Sequence, residues 1–394
     1  MKIVMYSNFI NHHQLPLAEA FNSISGVEYI FVATTPFDIH RAAMGYKDEN
    51  AQYDFILRPY ENEKQDLLSH QLVKEADIVI IGSAPDAYMA ERLNEGKVTF
   101  HTSERYFKKG MSLRTFPRYF ASTMKHIRPY QHLPLYYLCS SAYTAKDVNT
   151  FTNFKNRCFK WAYFTEVREY SEYELTKKKD SNDVPVILWA GRFLSWKHPD
   201  AAIRVAKQLK NNGYIFRMDI IGGGDLDENL RMMVNELDLE DTVRFLGFLS
   251  PELVRSHMEN ADIFLFTSDF NEGWGAVLNE AMSSGCAVIS SHACGAAPFL
   301  IRDGINGFMY ADGKENQLFE KVADLLKENS EIRKLGIQAY RDMKGLWNPD
   351  IAARRLLALS DAIVNGNAMS LYSEGPCSPA PILENGWYIN GKNA

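Results

Sequence analysis

Two glutamates, Glu272 and Glu280, lie eight apart in the run TSDFNEGWGAVLNEAMSSGCAVISS, residues 267–291. Aliphatic strand patterns at 263–266 and 287–290 flank the run, which puts the acids on a strand-to-helix turn and on the helix that follows. Glycines in the turn, residues 271–275, leave backbone N–H groups free to point at an anion, and the helix dipole favours negative charge there, so a phosphate fits. Glu280 falls about one and a half turns into the helix, where a carboxylate can accept hydrogen bonds from paired hydroxyls such as those of a ribose. Glu272 precedes the helix and can reach a sugar hydroxyl. The plainer alternative is a pair of solvated acids on an ordinary βα unit, since helix starts favour acidic residues.

Two further runs narrow the choice. In LWAGRFLSWKHPDAAI, residues 188–203, Arg192 and Lys197 follow a predicted strand over 186–190 and the glycine at 191. Together they can clamp a diphosphate, Arg by its planar fork and Lys as a point charge; either alone reads as a surface charge. In MDIIGGGDLDENL, residues 218–230, Gly222, Gly223 and Gly224 come between a strand and a helix and allow a ligand to approach the backbone. A triple glycine on its own marks a tight turn. A different chemistry is offered by residues 105–130, which hold seven Lys or Arg (Arg105, Lys108, Lys109, Arg114, Arg118, Lys125, Arg128), no acid, and interleaved aromatics such as Tyr106, Phe116 and Phe120. That mixture suits an interfacial surface on an anionic membrane or a site for an acidic acceptor. It equally suits a solvated helix whose aromatics belong to the core.

Short aliphatic runs alternating with amphipathic stretches must position these residues, which is the pattern of βα units feeding parallel sheets. Strands are expected over 2–6, 28–33, 77–81, 98–102, 135–139 and 159–164, and again over 186–190, 217–221, 243–245, 263–266 and 287–290. The chain of 394 residues suits two domains. We expect a first over 1–170, a linker over 171–184 (charged, without apolar periodicity), a second over 185–347, and a C-terminal helix within 348–394 returning to the first domain, followed by an extended or poorly ordered tail. The fold class expected is α/β, two doubly wound domains facing across a cleft. At 46% hydrophobic and 23% charged residues the composition is that of a folded protein. The net charge of −6 gives the chain as a whole no attraction to nucleic acid or anionic lipid. Five scattered cysteines without a CxxC spacing read as reduced thiols, the start MKIVMYSNF reads as a strand and not a secretory leader, and no apolar run approaches the length of a membrane span. A cytoplasmic location, free or peripheral on the inner face of a membrane, follows as an expectation.

From about 186 to 345 the sequence resembles the donor domain of the family 4 retaining glycosyltransferases (glycosyl transferases group 1), which have the GT-B fold. The likeness rests on AGRFLSWKH, IIGGGDL, VRFLGFLS, the long run around the two glutamates and IRDGINGF, in the family's order. What it implies is a nucleotide-sugar donor, with Glu272 on the donor sugar, Glu280 on the ribose, Arg192 and Lys197 on the diphosphate, and Phe248 and Leu249 beside the base. Gly191, Gly222, Gly223, Gly273, Trp274, Gly275 and Ala276 complete the implied donor site. His101, in VTFHTSERYF, resembles a histidine that many relatives place near the donor sugar; a lone histidine at a strand end is as often structural. The resemblance further implies front-face transfer to a glycan or lipid-linked acceptor in polysaccharide or glycolipid synthesis, with no metal and no other cofactor. Two departures stand out: NFINHHQLPLAEAF, with His12 and His13, replaces the glycine-rich loop usual after the first strand, and Phe299 in CGAAPFL stands where relatives carry a glutamate. An epimerase on the same fold and a catalytically silent donor-binding subunit are the rival readings.

Overall fold

The computed structural model describes residues 1–37, 48–366 and 371–389. The chain divides into two units, one made of Met1–Glu166 with Trp347–Glu384 and one made of Val167–Leu346 with the described residues of Asn385–Asn393. Each is built on a parallel sheet.

In unit 1 the strands are β1 (Lys2–Ser7), β2 (Glu28–Ala33), β3 (Ile56–Leu57), β4 (Ile78–Ile81), β5 (Thr99–Ser103), β6 (Leu135–Cys139) and β7 (Cys158–Lys160), in the order β3-β2-β1-β4-β5-β6-β7 among the described residues. Unit 2 has β8 (Val186–Ala190), β9 (Arg217–Ile221), β10 (Val243–Gly247), β11 (Ile263–Phe266), β12 (Ala287–Ser291) and β13 (Gly307–Tyr310), ordered β10-β9-β8-β11-β12-β13. Every pairing within the two sheets is parallel. Runs such as IVII in β4 and IFLF in β11 are buried throughout, because helices cover both faces of a parallel sheet and leave no wet side to demand alternation. The helix Pro199–Asn211 shows the complementary logic: Ala202, Ile203, Val205, Ala206 and Leu209 form its inner face in the unit 2 core, and the charged residues lie outside. Each large aliphatic side chain so buried stabilises by ~1.5–3 kcal/mol.

These are the two Rossmann-like domains of the expected fold class, and the strand expectations find their counterparts with shifted ends. Three features differ from the sequence reading. Residues 171–184, read as a linker, contain the helix Glu172–Asp180, started by a capping box in which the Ser171 hydroxyl accepts from the Glu174 N–H and the Glu174 carboxylate accepts from the Ser171 N–H. Leu175 and the stem of Lys179 bury this helix in unit 2, with the Lys179 ammonium donating to the Met258 and Ala261 carbonyls. The strand expected over 159–164 pairs with β6 only as far as Lys160. The tail read as extended or poorly ordered is, in its described part, packed: Cys377 and Ser378 are buried, the Cys377 N–H donates to the Lys160 carbonyl, and the Ala380 N–H to that of Cys158. The physical reason is β7 itself, an edge strand whose outward polar groups need partners. Residues 367–370 and 390–394 of that tail lie outside the described residues. The helix Pro349–Val364 packs against Leu15–Ser23 within unit 1.

Candidate active site

In unit 2 the chain runs from β8 outward through β9 and β10, then returns to the other side of β8 as β11. The loops leaving the carboxyl ends of β8 and β11 therefore diverge, which is where doubly wound sheets open a crevice for ligands. Lys197 comes from the first loop and Glu272 from the second, and Lys197 Nζ lies 2.5 Å from Glu272 Oε2. The Ser268 hydroxyl donates to the same carboxylate oxygen at 3.1 Å. Both ionic side chains are largely shielded from water.

A hydroxyl behind the pair fixes this geometry. Thr267 Oγ1 accepts from Trp189 Nε1 at 2.9 Å and is 2.7 and 2.9 Å from the carbonyls of Lys197 and His198, to which it donates. The 3-10 turn Ser195–Lys197 is further tied by the Asp269 N–H, which donates to the Trp196 carbonyl at 2.9 Å. His198, in the left-handed region at φ 48°, then starts the helix Pro199–Asn211. Arg192, earlier in the loop, is exposed, and among the described residues its guanidinium faces no carboxylate.

The other loop turns sharply at Gly275, with φ 94°, where an added Cβ would stand 2.3 Å from the Phe266 ring. Only glycine tolerates that combination. The helix Ala276–Ser283 starts there with no side chain capping its first N–H groups, so they and the dipole remain available to an anion. Gly273 is buried in the same loop. Glu280, on the helix, is partly buried, and desolvation pushes its pKa up to about 7 against the lowering pull of Arg255 and Arg168. At the ends of β9 and β10, Gly191 N–H donates to the Ile221 carbonyl and Gly222 N–H to that of Gly247, which continues the ladder past the strands. The ring of Phe248, mostly exposed, lies over Gly223 so closely that a Cβ there would come within 2.5 Å of it. Phe248 thus offers a flat apolar face beside the glycine turn, with Leu249 half-buried next to it.

Trp274 is the exception among the expected donor contacts. Its side chain is fully buried, donates from Nε1 to Asn279 Oδ1 at 2.9 Å and packs near Phe299, so only its backbone can face a ligand. Phe299 serves that apolar contact.

Unit 1 holds a cavity of about 390 Å³ at its own switch point between β1 and β4, bounded by Ser7, Gln14, Ser83, His101, Glu104 and Tyr163 among others. His101 has one ring nitrogen 3.0 Å from the Ile81 carbonyl and the other 3.1 Å from the Tyr106 hydroxyl. Desolvation lowers its pKa to about 4, so the ring is neutral near pH 7 and both nitrogens are engaged by the fold. Glu104 was missed by the sequence reading: it accepts from Tyr163 at 2.8 Å and from Lys108 at 2.6 Å. Its one signal is its place directly after the strand that carries His101.

Residues 172–342 match the family described as glycosyl transferases group 1. The matched residues fall within unit 2. Over 193 residues the chain is 30% identical to the amylovoran biosynthesis glycosyltransferase AmsK of Erwinia amylovora, covering 48% of this chain and 47% of that one. Over 148 residues it is 31% identical to an N-acetylgalactosamine-N,N'-diacetylbacillosaminyl-diphospho-undecaprenol 4-alpha-N-acetylgalactosaminyltransferase of Campylobacter jejuni, covering 38% and 39%. The chain thus spans about half the length, or less, of the curated relatives it matches. Among solved structures, Anabaena HepE in complex with UDP superposes with a TM-score of 0.64 at 15% identity, covering 93% of this chain and 100% of that one. Sucrose-phosphate synthase of Thermosynechococcus elongatus gives 0.66 at 14% identity, with the same coverage. At such identities the likeness shows the fold, which is GT-B. The group 1 match falls on unit 2, the unit in which the structure assembles Lys197, Glu272 and Gly275.

Proposed function

We propose that the chain is a retaining glycosyltransferase that moves a sugar from a nucleotide-diphosphate sugar to a glycan or lipid-linked acceptor in polysaccharide or glycolipid synthesis. The observation that carries this reading is the Lys197–Glu272 pair across the switch point of a group 1 domain. In this reading the diphosphate lies between Arg192, Lys197 and the uncapped helix start at Gly275 and Ala276. Binding it draws Lys197 from Glu272 and leaves the carboxylate to accept from a sugar hydroxyl. Glu280 accepts from the ribose, Phe248 and Leu249 flank the base, and the backbone of Gly191, Gly222, Gly223 and Gly273 allows close approach.

The acceptor oxygen forms its bond to the anomeric carbon on the face from which the diphosphate departs, and the acceptor proton passes to a departing phosphate oxygen. Charge growing on that leaving group meets fixed cations and dipoles, which act most strongly in a site closed to water. No protein base and no metal is needed. A neutral His101 is then a wall of the acceptor cavity and not a proton shuttle, while Glu104 and Tyr163 offer hydrogen bonds to a glycan. Support for such acceptors comes from the names of relatives that build amylovoran or act on a diphospho-undecaprenol sugar. A lipid-linked acceptor would bring the chain to the inner face of a membrane, and within unit 1 the basic stretch 105–130 is suited to meet it.

Incubation with UDP-, GDP- and ADP-sugars, with nucleoside diphosphate release as readout, tests the proposal. One donor should be turned over, EDTA should not reduce the rate, and Lys197→Ala or Glu272→Ala should lower turnover by about 100-fold or more. An isomerised donor, or nucleotide bound with equal affinity by both variants and wild type, would sink it.

A further inference from the structure

The basic stretch does not enter the fold as one piece. Arg105 is buried against Asp147 at 3.4 Å, Phe107 is buried, Lys108 pairs with Glu104, and His126 lies 2.6 Å from Asp86. What is left outside is the loop over 109–115 and the helix Phe116–His126, in which Thr123 is the one buried residue. The loop closes on itself: Thr115 Oγ1 donates to the Gly110 carbonyl at 2.8 Å and accepts from the Ser112 N–H at 2.8 Å. It is joined to the helix by the Lys109 N–H, 3.4 Å from the Tyr119 hydroxyl. This ordered turn holds Met111 and Leu113 outward, with Leu113 96% exposed. Next along the chain Phe116 and Phe120 stack at 5.9 Å and meet Phe151 edge to face, and both residues are exposed. Among the described residues Lys109, Arg114, Arg118 and Lys125 have no carboxylate within ion-pair distance.

We infer that this tip, Met111 and Leu113 with the outer edges of Phe116 and Phe120, bracketed by Lys109, Arg114 and Arg118, is a docking surface for an anionic lipid bilayer. Four large apolar groups at one place on a surface are out of keeping with a merely solvated face, and the local positive charge is opposite to that of the chain as a whole. Exposure and charge together select the occupant. The headgroup layer of an anionic bilayer takes in apolar side chains that stand clear of the fold and attracts the cations that bracket them. The inference deepens the lipid-linked acceptor reading and rests on it for its purpose only, because its test reads lipid and not sugar transfer.

Full-length protein is sedimented with phosphatidylcholine vesicles with and without phosphatidylglycerol. Binding should require the anionic lipid, fall steeply with salt, and weaken about 10-fold or more when Lys109→Glu, Arg114→Glu and Arg118→Glu are combined. Leu113→Ser alone should weaken it severalfold, and Leu113→Cys carrying an environment-sensitive dye should shift its emission to the blue on vesicle addition, since the native cysteines are buried. Nucleotide affinity serves as the folding control for every variant and should not change. The inference is overturned if folded wild type ignores anionic vesicles, binds them without regard to salt, or leaves the dye in water. It is also overturned if the charge reversals dissociate a dimer of the chain instead. If vesicles bind but no sugar nucleotide is turned over, the docking surface stands and the transferase reading falls.

Discussion

The Glu280 carboxyl, lifted to about 7, gains or loses its proton near neutrality. Two signs follow. Since the folded-state pKa lies above the unfolded value of 4.5, the folded chain holds a proton there that the unfolded chain releases, and this contribution to stability is full below about 4.5 and lost as pH rises through about 7. Ligand binding runs the other way if the ionised form is the one that accepts from ribose hydroxyls. Affinity for the sugar nucleotide should therefore climb as pH rises through about 7, and Glu280→Gln should flatten the profile; titration calorimetry over that range decides it. Thr267 gives a second expectation at this scale. Thr267→Val strands the Trp189 N–H and releases the Lys197 turn, so it should cost ~1–3 kcal/mol of stability by thermal melting and weaken diphosphate binding. Thr267→Ser should keep both, and equal losses in Val and Ser would remove the hydroxyl from the account. The glutamates and the Arg192–Lys197 run could be read from sequence because strand, glycine turn and helix follow one another there. Thr267, Arg255 and Glu104 could not, since their roles depend on neighbours distant in the chain, and the resemblance that put Trp274 in the donor site does not tell which way an aromatic on a turn will point.

Among the elements, the helix Glu172–Asp180 shows where periodicity fails. It buries one apolar side chain, Leu175, and otherwise relies on a cap and a buried lysine stem, so a hydrophobic pattern is too faint to see while the S-x-x-E start, Ser171 to Glu174, was present in the sequence. Ser171→Ala removes one half of the box and should lower stability by ~1 kcal/mol in chemical denaturation. No change would mean that the Lys179 anchor alone holds the helix. The two strands absent from the sequence reading have similar causes: β3 is two residues long and β13 begins on a glycine. The long buried strands were legible because a parallel sheet covered on both faces calls for unbroken apolar runs.

At the scale of the molecule, unit 1 draws its parts from both ends of the chain. The helix Pro349–Val364 covers Leu15–Ser23, and residues 377–380 close the edge of β7. A chain stopped after residue 346 should leave Leu17, Phe21 and the β7 edge open to water, and we expect it to aggregate or to expose unit 1 to protease while unit 2 resists. A soluble, protease-resistant unit 1 from that truncation would show the returning segment to be dispensable.

The order of parts also fixes a schedule during synthesis. Unit 1 starts first at the ribosome but lacks its last helix until Val167–Leu346 has emerged, so the body of unit 2 can acquire its structure while its elder neighbour still waits for closure.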